Sequence, residues 1–306
     1  MLTGVKKYYR SSYGKCRSNK KLIGKTVIIT GANSGLGKAT AIDLALRGAR
    51  VILACRNLEA ANATKEEIIY QTDNENIVVH HVDFESLDSV REFSKKIHAT
   101  EERVDILVNN AGASQLGNKL TKDGLHIAMQ VNHFAPFLLT NLLLDLLKKS
   151  APSRIVNVSS RFHKNARLNL NDLNEAPAVD VITYSNTKLC NLLMSNVLSR
   201  RLAGTGVTSN CSHPGFVDTN ICKNMSYIEW LGWKILAYLF FRTPKEGAQT
   251  TIHLAVSEEL ENVSGKYFAN CIEATPSKQA QDEKLADRVW ELSEKAVGLM
   301  PDEKHI

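Results

Sequence analysis

Thr30-Gly31-Ala32-Asn33-Ser34-Gly35-Leu36-Gly37 lies between a β-branched run, Lys25 to Thr30, and an amphipathic segment, Leu36 to Gly48, and its reading decides the fold. Glycine is required in such a turn because positive φ and close backbone approach exclude a Cβ. The turn also leads into a helix N-terminus, whose unpaired N–H groups and positive dipole end receive a pyrophosphate. Outward from it, short apolar runs recur at Arg50 to Ala54, Ile77 to Val82, Val104 to Val108, Arg154 to Val158 and Val207 to Ser212. Each reads as a buried parallel strand. The segments between them, such as Ser86 to Ala99, are long enough for crossover helices.

That alternation predicts an α/β chain with a doubly wound parallel sheet, the Rossmann fold, and it places ligands beyond the carboxyl ends of the strands. One domain over residues 22–301 is expected behind a basic tail, residues 1–21, with a small helical substrate lid at about 216–243. At 306 residues and 43% hydrophobic the chain can bury a sizeable core. Its net charge of +6 is local, since Lys6, Lys7, Arg10, Lys15, Arg17, Lys20 and Lys21 crowd the acid-free tail. Removing those seven from the 38 basic residues leaves 31 against 32 acidic ones, so the body is about neutral and offers no nucleic-acid face.

The six cysteines, Cys16, Cys55, Cys190, Cys211, Cys222 and Cys271, form no CxxC pair and have no His at ligand spacing. Reduced thiols and no metal are expected. His80, His81 and His213, on strands or at strand ends, read as hydrogen-bonded structural residues. Neither a run of 18 apolar residues nor a secretory signal occurs, so neither a spanning helix nor export is expected. The expected location is intracellular, in the cytoplasm or peripheral on the endoplasmic reticulum. Mitochondria are the alternative, because the tail is either a solvated segment or a weak presequence.

Sites that prefer NAD carry an acid about 20 residues beyond the turn, whereas a basic residue there suits a 2′-phosphate. Here the second strand ends Ala54-Cys55-Arg56 with no carboxylate before Glu59, and Lys38 directly follows the last glycine. Two cations near one phosphate favour NADP(H) as cofactor. Asp83, ending the third strand, reads as an adenine contact or an exposed loop acid.

Tyr184 and Lys188 stand four residues apart near the start of a helix running to about Leu202, so both side chains emerge on one face. An adjacent ammonium stabilises a phenolate and lowers a tyrosine pKa that is otherwise near 10. Ser159-Ser160 follow the strand Arg154 to Val158 at its carboxyl end, where a serine can polarise a carbonyl. Alternation along the strand end favours Ser160 over Ser159.

With Thr30 to Gly37, Asn109-Asn110-Ala111-Gly112, Asn132, Val158-Ser159-Ser160, Tyr184 to Lys188 and His213-Pro214-Gly215 in this order, the sequence resembles the short-chain dehydrogenases/reductases over roughly residues 24–300. The resemblance implies Tyr184 as acid/base and Lys188 lowering its pKa and holding the nicotinamide ribose. It implies Ser160 orienting the substrate oxygen and Asn132 positioning a proton-relay water. It further assigns cofactor contacts to Asn110, Pro214, Gly215 and Thr219, which with Tyr184 and Lys188 join Gly31, Asn33, Ser34, Gly35, Leu36, Gly37, Lys38, Arg56 and Asp83 from the reading of the turn and strand ends.

Arg47 to Arg56, Ser150 to Ser160, Gly247 to Thr250 and Ser264 to Phe268 are similar to the retinol dehydrogenases of the 11 to 14 group. That likeness implies a lipophilic aldehyde or ketone and its alcohol, retinal and retinol first, as substrates. Steroid, terpenoid or xenobiotic carbonyls form the rival reading, and a non-catalytic NADP-binding scaffold the reading from another class. Two stretches depart from the pattern: Asn132-His-Phe-Ala-Pro-Phe137 replaces Asn-His-Leu-Gly-His-Phe, and Ser160-Arg161-Phe162-His163 replaces a smaller turn. Met225 to Phe241, with two of the three tryptophans, is expected to form a lid with peripheral membrane contact. Phe137 to Leu147, apolar on nearly every side, is expected in the core or in a homodimer interface.

Overall fold

The computed structural model describes residues 13–114, 116–175, 180–217 and 241–306. All six expected strands form: β1 (Thr26–Thr30), β2 (Arg50–Cys55), β3 (Ile77–His81), β4 (Ile106–Asn109), β5 (Ser153–Val158) and β6 (Val207–His213). They pair in parallel in the order β3-β2-β1-β4-β5-β6. The direction of winding reverses between β1 and β4, which opens the crevice where ligands bind in such sheets. Two short strands extend the edge, β7 (Tyr267–Ala269) parallel to β6 and β8 (Ile272–Glu273) antiparallel to β7. Three and two residues are too few to show an apolar period, so the sequence did not announce them.

Among the described residues, eight α-helices of six residues or more flank the sheet: α1 (Gly35–Leu46), α2 (Leu58–Thr72), α3 (Leu87–Thr100), α4 (Ala135–Leu142), α5 (Leu144–Lys149), α6 (Asp180–Arg201), α7 (Gln249–Val256) and α8 (Glu283–Val297). Asn57, Ser86 and Asp282 cap α2, α3 and α8 by accepting from N–H groups of the first turn. One apolar core joins α1, α2 and α7 to the sheet, and a second joins α3, α4, α6 and α8 to its other face. Helix α8 lays Ala286, Val289, Trp290 and Val297 inward, and the Trp290 ring meets Phe137 edge-on at 4.7 Å. Phe137 to Leu147 is therefore core, covered within the same chain.

Residues 13–21 do not trail into solvent. The Cys16 N–H donates to Gln249 Oε1 at 3.1 Å, and Arg47 donates to the Ser18 and Lys20 carbonyls at 2.9 and 3.0 Å. The Arg242 guanidinium stacks over Tyr13, 4.3 Å from the ring centroid. A solvated tail was the expectation for this segment. Backbone groups pinned by Arg47 and Gln249 explain the difference, a kind of contact that composition does not reveal.

Candidate active site

The glycine turn is shaped by what it excludes. Gly31 has φ +64°, and a Cβ there would stand 3.1 Å from Ala111 Cα. At Gly37 a Cβ would come within 2.4 Å of the Gly31 carbonyl oxygen and 2.5 Å of Asn110 Nδ2. Asn110 Nδ2 donates to the Thr30 carbonyl at 2.8 Å, and Thr30 Oγ1 accepts from the Asn110 and Ala111 N–H groups at 3.0 and 2.9 Å. That clasp between β1 and β4 was missed at Thr30, whose hydroxyl carries no motif of its own.

Ser34 is the N-cap of α1 and makes no side-chain capping bond, while the first turn holds no acid. Leu36 and Gly37 follow in that turn, and the Asn33 carbonyl is fixed by Thr64 Oγ1 at 3.1 Å. These residues fit a pyrophosphate: backbone donors, a positive dipole end and no competing carboxylate. Around the expected 2′-phosphate position the picture is mixed. Lys38 is hydrogen-bonded to Glu67, and Arg56 to Glu85 with Asp83 3.9 Å away. Arg56 is 63% exposed, so its pairing is a weak surface contact that a phosphate can replace. Pro214 and Gly215 follow β6 and are held by Arg242, which donates to the Pro214 carbonyl at 3.1 Å. Thr219 and most of the expected lid lie outside the described residues. The lid's two ends are joined, with the Arg242 N–H donating to the Phe216 carbonyl at 2.7 Å.

At the carboxyl ends of β4 and β5 the other site residues converge. Ser159 and Ser160 divide their work as alternation predicts: Ser159 Oγ turns inward to the Lys188 carbonyl at 2.9 Å, while Ser160 Oγ accepts the Phe162 N–H at 3.3 Å and is close enough to the Tyr184 phenol to favour its charged form. His163, fully buried, accepts the Ser277 N–H at Nε2 (3.0 Å), so Nδ1 carries the proton and donates to the Ser160 carbonyl at 2.7 Å. The neighbouring His213 accepts the Arg161 N–H at Nδ1 (3.3 Å). Burial, reinforced by Arg242 and Arg161, holds that ring neutral with its pKa down to about 4.

Lys188 Nζ lies 5.5 Å from the centre of the Tyr184 ring and donates to the Val158 carbonyl at 2.9 Å. Burial pushes its ammonium down to about 8. Burial also pushes the Tyr184 phenol above its ordinary value, against the smaller opposing effect of the Ser160 hydrogen bond. The sequence-based expectation was a lowered phenol. The protein alone instead keeps Tyr184 protonated, because its ring is desolvated and the ammonium is turned to a main-chain carbonyl.

Asn132 clasps the loop after β4 with both amide atoms, accepting from the Ala113 N–H at 2.9 Å and donating to the Ala113 carbonyl at 2.8 Å. Gly112 lets this loop pass, since a Cβ there would stand 3.1 Å from Asn132 Oδ1 and 3.3 Å from Lys188 Nζ. Phe162, in the departing turn, meets the Tyr184 ring edge-on at 6.2 Å, and Phe216 meets Phe162 at the same distance. An aromatic row thus walls the phenol, a feature the bulky Phe162 signalled only as a change of pocket shape. Among the described residues no helix is long and apolar enough to cross a membrane, and no group of His, Cys, Asp and Glu is placed to hold a metal.

A switch-point crevice, an anion-receptive turn beside it and a phenol–ammonium pair at its lip place the chain among nicotinamide-dependent oxidoreductases. The chain belongs to the short-chain dehydrogenase family, with residues 25–229 matching the family described as short chain dehydrogenase. It is 42% identical over 292 residues to retinol dehydrogenase 11 of Homo sapiens, covering 95% of this chain and 91% of that protein. To retinol dehydrogenase 13 of Mus musculus it is 45% identical over 292 residues, 94% of this chain and 87% of that one. Among solved structures, the Pseudomonas aeruginosa RhlG/NADP active-site complex superposes with a TM-score of 0.65 at 25% identity, over 81% of this chain and 95% of that one.

Proposed function

We propose that the protein is an NADP(H)-dependent oxidoreductase that interconverts an apolar aldehyde or ketone and its alcohol, with retinal and retinol the favoured pair. The observation that carries the proposal is the gathering of Ser160, Tyr184, buried Lys188 and clasped Asn132 at the carboxyl ends of strands flanking the glycine turn. Retinoids are favoured because the full-length relatives are named retinol dehydrogenases and because Phe162 and Phe216 present aromatic surface to a lipophilic substrate.

In reduction, the Ser160 and Tyr184 hydroxyls hold the carbonyl oxygen and stabilise the charge that develops on it, and Tyr184 gives up its proton. A bound nicotinamide supplies the hydride, or accepts it in the reverse direction. Lys188 provides the positive charge that steadies the phenolate left behind, and Asn132 holds the route by which a proton returns. Of the stretch Met225 to Phe241 all but the last residue lies outside the described residues, and we assign this stretch the role of a lid that covers the substrate and touches a membrane surface. Turnover of NADPH by the purified protein against retinal, steroid, farnesal-like and short aldehydes tests the proposal. Activity with retinal supports it, a steroid or terpenoid preference favours the rival substrate class, and no turnover with any carbonyl favours the scaffold.

Two expectations follow. With Tyr184 kept protonated and Lys188 charged only below about pH 8, kcat/KM for carbonyl reduction is flat at neutral pH and declines above about pH 8. A profile flat to pH 10 would exclude Lys188 charge as a requirement. For cofactor choice, Arg56→Asp with Lys38→Ala shifts preference toward NADH by about 2 kcal/mol, or ~30-fold in the ratio of kcat/KM values. An unchanged NADPH/NADH ratio would remove both cations from the cofactor site.

A further inference from the structure

Asn132 sits in a π-type turn, Gln130–Phe134, just before α4, and such turns occur often at functional sites. Four residues on is Pro136, which has no N–H and whose ring crowds the carbonyl of the residue four places earlier. The Asn132 carbonyl therefore has no α-helical donor. Its donor comes from another helix: Asn191 Nδ2 of α6, at 3.0 Å. Asn191 Oδ1 in turn lies 3.1 Å from His133 Nδ1, and His133 Nε2 lies 2.8 Å from Ser293 Oγ on α8. None of these four residues is more than 5% exposed.

The direction of the two hydrogen bonds nearest Asn132 is determined. A carbonyl only accepts, so Asn191 points its NH₂ group at Asn132 and its oxygen at His133. The His133 ring is neutral, since burial holds it down to about 4, and facing an acceptor it carries its proton on Nδ1. Nε2 is then bare and faces the Ser293 hydroxyl, whose one proton lies between that nitrogen and the Val289 carbonyl, to which it donates at 2.7 Å. Donation runs one way from His133 through Asn191 to the Asn132 carbonyl, and aligned bonds of this kind reinforce one another.

We propose that Asn191 and His133 are positioning residues that hold the Asn132 carbonyl in place of the donor Pro136 lacks, tying the reacting face of the site to the C-terminal helix. The proposal rests on the role assigned to Asn132 above, and its test separates the two. In Asn191→Leu, kcat for NADPH-dependent reduction of all-trans-retinal falls by about tenfold, a misplaced group costing up to ~10²-fold, while KM for NADPH is unchanged. Amide exchange at Val131–Phe134 quickens in the same variant. Adding Pro136→Ala restores a main-chain donor to the Asn132 carbonyl and recovers most of the lost rate. A merely structural role lowers the melting temperature, leaves kcat per folded molecule unchanged and gives no recovery, and that result overturns the proposal.

Ser293→Ala, which removes only the hydroxyl facing His133 Nε2, gives a smaller loss and faster exchange in the same turn. It decides the question if Asn191→Leu does not fold, and wild-type rate and exchange in Ser293→Ala then overturn the proposal. Should the wild-type protein turn over no carbonyl, the functional proposal fails, and the exchange measurements still decide this one.

Discussion

Tyr184→Phe lowers kcat for carbonyl reduction by roughly 10³-fold, the middle of the range for a positioned proton donor. The substitution removes one hydroxyl and little else. The ring keeps its edge-on contact with Phe162 at 6.2 Å and its place 5.5 Å from Lys188 Nζ, so the loss belongs to the phenol hydroxyl and its proton. The measurement is steady-state NADPH oxidation with retinal, beside a thermal melt that shows the variant folded. A variant that turns over at the wild-type rate removes Tyr184 from the mechanism altogether. NADPH affinity is expected to survive, which distinguishes the change from damage to the nucleotide turn.

Gly37→Val has the opposite signature. Its Cβ would overlap the Gly31 carbonyl oxygen at 2.4 Å and Asn110 Nδ2 at 2.5 Å, and neither can retreat, because Asn110 is already bonded to the Thr30 carbonyl. The turn must open or the helix must shift, at a cost of about 1–3 kcal/mol. If that strain falls on the phosphate seat, NADPH binds up to ~10²-fold more weakly, as followed by the fluorescence of the reduced nicotinamide. Unaltered affinity would mean that the pyrophosphate lies elsewhere.

Much of this architecture was legible in residue order. The six long strands announced themselves because a strand covered by helices on both faces must be apolar throughout, as in Val27-Ile28-Ile29. The choice of Ser160 over Ser159 rested on alternation and on the family pattern, and the structure turns Ser159 to the Lys188 carbonyl. What stayed hidden depends on partners distant in sequence. Arg47 pins the N-terminal segment, Thr30 clasps β4, and burial rather than a neighbouring charge governs Tyr184. Lys38 and Arg56 were visible as cations, but their contacts with Glu67 and Glu85 were not, since those acids lie 29 residues away in each case.

Helix α8 has a consequence for how the protein is made. The apolar face from Phe134 to Leu147 is translated long before the ring that closes one side of it, Trp290, and before Glu303, which clamps Arg91. Until α8 emerges that side of the face stays uncovered, which is the period when nascent chains aggregate or recruit chaperones. Loss of helix α8 alone would thus leave every proposed reacting group in place and still yield a protein that cannot finish folding.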